Sequence, residues 1–417
     1  IIMKIYYVIF LVILGCVGGI EKKDCLCFEV KEPESISVER PISINLNKKE
    51  NTCWDQEMIL IKKSETGTQV LSYQADTAQP NKIWFKHKSN TETQIRYCFT
   101  HKKKQNTVPL FQGQKENGDF KIVHQGQALM HYRYKLKSVP EGVNPLYQKS
   151  AYIHPVISPK CDTLTRIQPP DHYHHYGIWG PWTRTRIDNV GVDFWNLKDG
   201  QGTVLFKAFN NTESGKVYGG FSAHQEHLNI SQNQRQLALN ENLKVKVWKN
   251  NNPNQYFIDY STQFSSPLKN GILFEAYRYG GGLGFRFKEQ WNKDNCKVIT
   301  SEGKNRITAD GTSAKWCMVY GVSSDGIGES GVLFMSHPNN QSHPEPMRVW
   351  PLEANQGRGD MFFQFCPIRH KEWKIEPQQS YELNYRMLVF DGAISPEEAE
   401  EHWKAFALPF KINLLNN

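Results

Sequence analysis

The sequence lacks any apolar run long enough to cross a membrane as a helix. The longest such run, residues 5–14, has ten apolar residues, whereas a transmembrane helix needs about 20. There is no CxxC pair among the nine cysteines, and their spacing matches no zinc ribbon. Apolar residues make up 39% of the 417 residues and charged residues 22%, which excludes a polytopic membrane protein and a wholly disordered chain.

The sequence also lacks the alternation of strands and helices that marks parallel α/β folds, and it contains no internal repeat or low-complexity tract. Short runs in which apolar and polar residues alternate take their place, separated by turns rich in glycine and asparagine. This pattern predicts an all-β protein. We expect a small β-sandwich with its linker over residues 17–106, and a large antiparallel β-sandwich with a C-terminal helix over residues 107–417.

One helix is well marked near the C-terminus. Ser395 is a favourable N-cap, Pro396 occupies the first helical position, and Glu398 completes a capping box. Three apolar residues then recur on one face of the helix, namely Ala399, Trp403 and Phe406. We therefore expect this helix to pack against the β core.

Residues 1–16 are typical of a bacterial export segment. Lys4 precedes the ten apolar residues, and Gly15 stands before Cys16 as in a lipoprotein signal, whose cysteine is lipidated. Cleavage near Gly18 is the alternative. Both interpretations predict an exported bacterial protein, periplasmic or on the cell surface. If Cys16 is lipidated, we expect the protein to contact the membrane only through this lipid anchor.

Export permits disulfides. Cys53 and Cys98 both lie in the predicted small sandwich, so a disulfide between them is one hypothesis. Scattered free thiols in a β core are the alternative.

The formal net charge is +8, from 50 basic and 42 acidic residues distributed over both predicted units. A basic balance favours an acidic ligand. Because the charge is diffuse, we expect no nucleic-acid partner.

The densest group of chemically active residues lies within positions 169–179. Three of the 14 histidines fall within four positions there, beside an aspartate and two tyrosines. The members are Asp171, His172, Tyr173, His174, His175 and Tyr176. If the segment is a strand, His172, His174 and Tyr176 share one face, and the other two rings share the opposite face. One face could then offer imidazole and phenol groups to a cleft.

Three functional hypotheses and one structural alternative fit this cluster. Asp171, His172 and His174 could bind one divalent metal ion, since imidazole and carboxylate suit zinc, manganese or iron; no organic cofactor is expected. A histidine and a tyrosine could instead remove a proton α to a carboxylate whose charge an arginine stabilises. Asp171 with Asp188 or Asp193 could form the carboxylate pair of a glycoside hydrolase. The structural alternative is a buried polar network that fixes a loop.

Three other groups carry weaker indications. The segment 277–286 contains three consecutive glycines, which either let the backbone approach a ligand or kink a sheet. Two X-Pro steps fix a loop that presents His337 and His343. His224 and His227 lie amid strand-like sequence, and we interpret them as surface or network residues.

From residue 140 onward, an ordered set of motifs resembles the bacterial family of unknown function labelled "methane oxygenase PmoA-like". The motifs stand at residues 140–145, 152–155, 170–179, 193–195, 282–286, 337–344 and 385–392. The resemblance implies an exported protein of a polysaccharide- or sugar-degrading bacterium, with a β-sandwich similar to carbohydrate-active folds. A membrane-embedded oxygenase subunit does not fit a chain without a spanning segment. Tyr176 departs from the pattern, since relatives carry arginine or another polar residue there.

With this resemblance, the cluster favours a lyase that acts by β-elimination or dehydration on oligosaccharides containing uronic acid. The catalytic set would comprise a histidine base, a tyrosine acid and an arginine that neutralises the carboxylate: His174 or His175, Tyr173 or Tyr176, and Arg184 or Arg286. The expected substrate-binding residues are His154, Trp179, Trp182, Trp195, His337 and His343, because sugars stack on aromatic faces. The alternatives are a glycoside hydrolase with a carboxylate pair and a non-catalytic glycan-binding lipoprotein.

Overall fold

The computed structural model describes residues 24–34, 36–46, 58–65, 67–88, 95–101, 108–231 and 235–415. The predicted export segment, residues 1–16, and Cys53 lie outside the described residues. Among the helices of the described part, none has the length and apolar character needed to cross a bilayer.

The described chain is mostly β-strand, with one α-helix, α1 (Pro396–Ala407). The strands of the N-terminal region are β1 (Asp24–Lys31), β2 (Arg40–Asn45), β3 (Met58–Ser64), β4 (Gly67–Leu71), β5 (Tyr73–Ala75), β6 (Lys82–His87) and β7 (Arg96–His101). The next strands are β8 (Phe111–Glu116), β9 (Asp119–His124), β10 (Gln127–Arg133), β11 (Tyr152–Val156), β12 (Ile178–Trp179), β13 (Thr185–Ile187), β14 (Val190–Val192), β15 (Gly202–Glu213), β16 (Tyr218–Asn229), β17 (Gln236–Trp248) and β18 (Gln255–Ser265). The last are β19 (Ile272–Phe274), β20 (Leu283–Arg286), β21 (Cys296–Thr300), β22 (Ser313–Ala314), β23 (Trp316–Val322), β24 (Glu329–Ser336), β25 (Glu345–Val349), β26 (Phe362–Phe365), β27 (Trp373–Ile375), β28 (Ser380–Asp391) and β29 (Lys411–Leu415).

A small β-sandwich forms the N-terminal unit, as predicted. One sheet has the strand order β29-β1-β7-β3-β4 and the other has the order β2-β6-β5. Alternate residues of β2 and β6 point inward, so that Ile42, Ile44, Ile83 and Phe85 are buried in a shared core. The C-terminal strand β29 pairs with β1, which brings the end of the chain back to this unit. The division of the chain at residue 106 stays a prediction.

Cys98 forms a disulfide with Cys27, so the predicted pairing with Cys53 is wrong. The reason is register: Cys27 on β1 lies directly opposite Cys98 on β7, with a Cα–Cα distance of 4.1 Å. Cysteines so placed on adjacent antiparallel strands can be bridged without moving the backbone. Four other cysteines of the described chain carry free thiols: Cys161, Cys296, Cys317 and Cys366.

The large unit is an antiparallel sandwich, also as predicted. A nine-stranded sheet (β22-β25-β26-β20-β12-β11-β10-β9-β8) and an eight-stranded sheet (β15-β16-β17-β18-β28-β24-β23-β21) contribute to one core, together with a four-stranded sheet (β14-β13-β19-β27). Phe285 and Phe363 come from the first sheet, Val245 and Val389 from the second. Burial of these alternating faces is the main driving force for the fold.

Helix α1 packs against part of the outer face of the eight-stranded sheet, next to β23 and β24. Ser395 caps the helix as predicted, because its Oγ accepts the Glu398 N–H at 3.2 Å. Ala399 is fully buried, and Trp403 and Phe406 pack partly buried on the same apolar cluster. The predicted contact face of the helix is therefore confirmed.

The outer face of the nine-stranded sheet carries a second set of large side chains. On β20, Leu283 and Phe285 point to the core, so Arg286 must point outward. On β26 the same alternation turns Phe362 outward, directly opposite Arg286 in the ladder. Trp179 on β12 joins Phe362 in an apolar cluster on this face, which becomes the floor of the site described next.

Candidate active site

The histidine cluster lies on two consecutive turns and not on a strand, so the alternation of faces that a strand would give does not apply. The His172 N–H donates to the Pro169 carbonyl at 2.8 Å, and the His175 N–H donates to the His172 carbonyl at 2.9 Å. Pro169 and Pro170 have no N–H to give to a ladder, which favours turns here. The turns stack the rings of His172 and His175 with their centroids 4.7 Å apart.

A cavity of about 230 Å³ opens above this double turn. Its walls mix imidazole, indole, phenol, amide and guanidinium groups. The lining residues are His172, His174, His175, Thr183, Trp195, Asn196, Tyr277, Arg278, Tyr279 and Trp350. The structure thus brings together the three histidines and Trp195 of the predicted site.

His175 forms the buried base of the cavity. It is 1% exposed, and its ring lies 5.2 Å from each of the rings of Trp179 and Phe362. Burial holds the pKa of His175 well below its ordinary value, and the positive charge of Arg286 lowers it further. Its Nδ1 has no hydrogen-bond partner among the described residues. His175 is therefore a neutral imidazole.

His174 is neutral for the same reasons. Burial lowers its pKa to about 3, with further lowering by the charges of His172 and Arg286. An imidazole with so low a pKa provides little driving force for removing a proton from carbon, which counts against the predicted choice of His174 or His175 as the catalytic base.

His172 has a carboxylate partner. Its Nδ1 lies 2.7 Å from Asp171 Oδ2. Burial alone would raise the pKa of Asp171, but the hydrogen bond to His172 and the charge of Arg286 outweigh it and lower that pKa to about 2. An ionised carboxylate only accepts hydrogen bonds. The proton of this hydrogen bond therefore sits on His172 Nδ1, and Nε2 is the ring nitrogen that takes no part in the pair.

Arg286 supports this pair from below. Its Nη2 lies 2.6 Å from Asp360 Oδ2 and 3.3 Å from Asp171 Oδ2, and the side chain is 1% exposed. Arg358 and Arg166 also approach the Asp360 carboxylate, at 2.9 and 3.7 Å. Arg286 is thus committed to two carboxylates under the cavity and is not among the lining residues, contrary to its predicted contact with substrate.

The rim opposite the histidines is Tyr277, Arg278 and Tyr279. Three glycines follow, Gly280, Gly281 and Gly282, all with positive φ. A Cβ on Gly281 would lie 1.8 Å from the Trp182 ring, so only glycine allows this close approach. The glycine run therefore serves backbone packing. Trp350 Nε1 donates to Tyr279 Oη at 3.1 Å, which joins two walls of the cavity.

Several predicted site residues have structural roles instead. Tyr176 is fully buried; its hydroxyl donates to the Tyr147 carbonyl and accepts from Gln168 Nε2, while burial raises its pKa. Tyr173 packs against the Tyr147 ring and does not line the cavity. Trp182 is stacked in the main core on Phe274 at 3.9 Å. Trp179 lies beneath His175 in the cavity floor.

Other predicted residues lie away from the cavity or behind it. His154 Nδ1 is 2.8 Å from Thr165 Oγ1, and burial lowers the pKa of His154 to about 4. His337 and His343 contact helix α1 through the rings of Phe406 and Trp403. His154, His337 and His343, which were expected to bind substrate, are not among the residues that line the cavity.

Arg184 is exposed and stacks on Tyr277, with Cζ 4.0 Å from the ring centroid, so it supports the rim from outside. His227, the predicted network residue, is buried with Nε2 2.7 Å from Glu241 Oε2, and His224 Nε2 lies 3.0 Å from Asn240 Oδ1.

The predicted carboxylate pair is not formed. Asp188 Oδ1 accepts from Asn270 Nδ2 at 2.7 Å in an exposed turn. Asp193 uses both carboxylate oxygens to accept from neighbouring groups. Neither lines the cavity.

The predicted metal site is not formed either. Within the described ranges, no group of three or more His, Cys, Asp or Glu side chains is arranged to hold a metal ion. Asp171 and His172 are hydrogen-bonded to each other, as described above, instead of converging with His174 on one point.

Residues 119–404 match the family of unknown function DUF6807. The chain belongs to this family. The match spans every residue that lines the cavity. No curated protein matches the chain.

Among solved structures, this DUF6807 chain is similar to a protein of glycosyl hydrolase family 38 from Enterococcus faecalis, with 8% identity, a TM-score of 0.43 and coverage of 95% of this chain and 49% of that one. The chain thus spans about half the length of that protein. It is also similar to the heparan sulfate lyase of Pedobacter heparinus, with 10% identity, a TM-score of 0.32 and coverage of 70% and 38%. A galactose mutarotase related enzyme from Lactobacillus acidophilus has 9% identity, a TM-score of 0.31 and coverage of 67% and 97%.

Six of the ten residues that line the cavity of this DUF6807 chain were not selected from the sequence. These are Thr183, Asn196, Tyr277, Arg278, Tyr279 and Trp350. The segment 277–286 was singled out for its glycines, so Tyr277, Arg278 and Tyr279 could have been proposed as site residues from the same motif. Trp350 and the supporting Asp360 follow β25 and precede β26, and no local pattern marks them.

Proposed function

We propose that this protein is a lyase acting on a uronic-acid sugar, with His172 as the base. The observation that carries the proposal is the Asp171–His172 pair at the wall of an aromatic cavity. A carboxylate that orients an imidazole and stabilises its protonated form is the usual support of a histidine base.

The walls of the cavity suit a sugar ring. Trp195, Trp350 and the two rim tyrosines offer aromatic faces, while Asn196 and Thr183 offer polar groups at the edge. The volume of about 230 Å³ is below the ~300–1,000 Å³ typical of drug-sized ligands. We therefore infer that one sugar residue occupies the cavity.

The charges favour an acidic sugar. Arg278 lines the cavity, is exposed, and has no carboxylate partner among the described residues; its Cζ lies 5.5 Å from the Tyr279 ring. Arg286 beneath the floor is already paired with Asp171 and Asp360, so Arg278 is the cation that the cavity offers to an anionic sugar. Arg278 replaces Arg184 and Arg286 as the group that neutralises the substrate carboxylate.

The proposed reaction is a β-elimination. His172 Nε2 takes the proton from the carbon that bears the carboxylate, and Asp171 stabilises the resulting imidazolium. The electron pair of that C–H bond forms a carbon–carbon double bond, and the bond from the neighbouring carbon to the leaving oxygen breaks. Tyr279, held by Trp350, gives its proton to the leaving oxygen. The products are an unsaturated uronate and an alcohol, and no other reactant is consumed. The export segment adds the proposal that this occurs outside the cytoplasm.

Ultraviolet absorbance tests the reaction, because the new double bond is conjugated with the carboxylate. We expect uronate oligosaccharides to gain absorbance with the wild type, and His172→Gln to lower kcat by about 10²–10⁴-fold, the usual contribution of a general base. The matched control is His224→Gln, on the outer face of the large sandwich, which should leave kcat unchanged. Sugar binding without any absorbance change would instead support a non-catalytic glycan-binding protein, and release of reducing sugar alone would support a hydrolase.

A further inference from the structure

Asp193 gathers hydrogen bonds from one side of the cavity. It follows β14 directly, and its Oδ1 accepts the N–H groups of Trp195 at 2.7 Å and Asn196 at 2.9 Å. Its Oδ2 accepts the Thr183 hydroxyl at 2.8 Å and Asn196 Nδ2 at 2.7 Å. One carboxylate thus receives four donors from three residues.

All three donor residues line the cavity, although Asp193 itself does not. Thr183 precedes β13 and the other two follow β14, so the carboxylate joins two separate stretches of backbone. Hydrogen bonds to an ionised acceptor are stronger than neutral ones, and a carboxylate that accepts N–H groups two and three residues ahead fixes a turn. The orientation of the Trp195 ring and the Asn196 amide therefore depends on this group.

We propose that Asp193 is the positioning residue that sets the Trp195–Asn196 wall of the cavity and so determines its affinity for a sugar. The inference deepens the proposed function and rests on it for the identity of the ligand. The hydrogen bonds on which it depends do not require any ligand.

The geometry distinguishes a carboxylate from an amide at this position. In Asp193→Asn, the side-chain oxygen can still accept the two backbone N–H groups. The new NH₂ group would face Asn196 Nδ2, which is also a donor, so the hydrogen bond between these two side chains is lost. Asp188→Asn is the matched control: it makes the same change of charge in the exposed turn between β13 and β14, and asparagine tolerates its φ of +46°.

Hydrogen exchange in the free protein tests the turn. We expect the amides of Trp195 and Asn196 to exchange about tenfold faster or more in Asp193→Ala than in the wild type, because they lose their acceptor. Asp188→Asn should exchange like the wild type. Unchanged exchange in Asp193→Ala overturns the proposal, whatever the ligand is.

Calorimetric titration with D-glucuronate tests the effect on the cavity. We expect Asp193→Asn to raise Kd about tenfold, in the range of one lost hydrogen bond to a charged group, with Asp188→Asn unchanged. Thr183→Val should weaken binding less in the Asp193→Asn background than in the wild type, because both substitutions disrupt the same hydrogen bond between Thr183 and Asp193. Wild-type affinity in Asp193→Asn overturns the positioning role. If the wild-type protein does not bind D-glucuronate, the proposed function is contradicted. The hydrogen-exchange comparison then still tests whether Asp193 holds the Trp195–Asn196 turn, because it needs no ligand.

Discussion

Glu345 gives the molecule a measurable pH dependence of stability. It is the first residue of β25, is 0% exposed, and accepts hydrogen bonds from Asn340 Nδ2 at 2.9 Å, Tyr385 Oη at 2.8 Å and Ser336 Oγ. Burial raises the pKa of Glu345 to about 7, although these three hydrogen bonds oppose the rise. No cation pairs with it among the described residues, so the folded protein prefers the protonated carboxyl.

The sign of the effect follows from proton linkage. Between pH 4.5, the ordinary pKa, and about pH 7, the folded protein binds a proton at Glu345 that the unfolded chain has released. Stability is therefore highest below pH 4.5 for this group and falls as the pH rises through 7. At about 1.4 kcal/mol for each pH unit of that interval, the loss is about 3 kcal/mol.

Glu345→Gln isolates this contribution because glutamine cannot ionise. We expect the free energy of unfolding of the wild type, measured relative to Glu345→Gln, to fall by about 3 kcal/mol between acid and mildly alkaline pH. Urea titrations followed by tryptophan fluorescence would measure it at several pH values. Glu302→Gln, an exposed glutamate, is the control and should give a flat difference. A flat difference for Glu345→Gln would refute the reasoning.

Two further predictions concern stability. Replacing Cys27 and Cys98 by serine should lower the free energy of unfolding by about 4 kcal/mol, because the bridge closes a loop with a sequence separation of 71; a loss below about 1 kcal/mol in urea titrations would contradict this. Gly281→Ala should destabilise by more than the ~1–2 kcal/mol cost of a left-handed residue, because its Cβ would meet the Trp182 ring at 1.8 Å. Gly357→Ala has a similar φ and open space around the Cβ, so it should show the conformational cost alone, and equal losses in both variants would refute the packing role of Gly281.

The fold could be predicted from local patterns because each strand and the one helix carry their own signals. Period-2 alternation marked the sandwich strands, and Ser395 with Pro396 marked the start of α1. The conformation of residues 169–175 could not be decided from the sequence, because the alternating ring types fit a strand whereas Pro169 and Pro170, which lack N–H donors, fit a turn. Turn chemistry at the prolines was the better indicator.

Four of the ten cavity residues could be predicted, and three of these are histidines that lie close together in sequence. Long-range strand pairing brings other parts of the site together: β20 lies between β12 and β26, which places Arg286 beside Phe362 and the Trp350 segment over the histidines. The same long-range strand order places His337 and His343 against the Phe406 and Trp403 rings of α1. The order of strands in a sheet cannot be predicted from the spacing of residues along the chain. For the same reason, the sequence does not identify Cys27 as the disulfide partner of Cys98.

The pairing of β29 with β1 has a consequence for how the protein is made. A ribosome releases β1 long before β29, so the N-terminal sheet keeps an open edge at β1 until β29 has emerged. An unpaired edge is a template for association with other chains. Folding of the small sandwich therefore depends on a strand that the ribosome makes only after the whole large sandwich, and its sheet is completed when β29 pairs with β1.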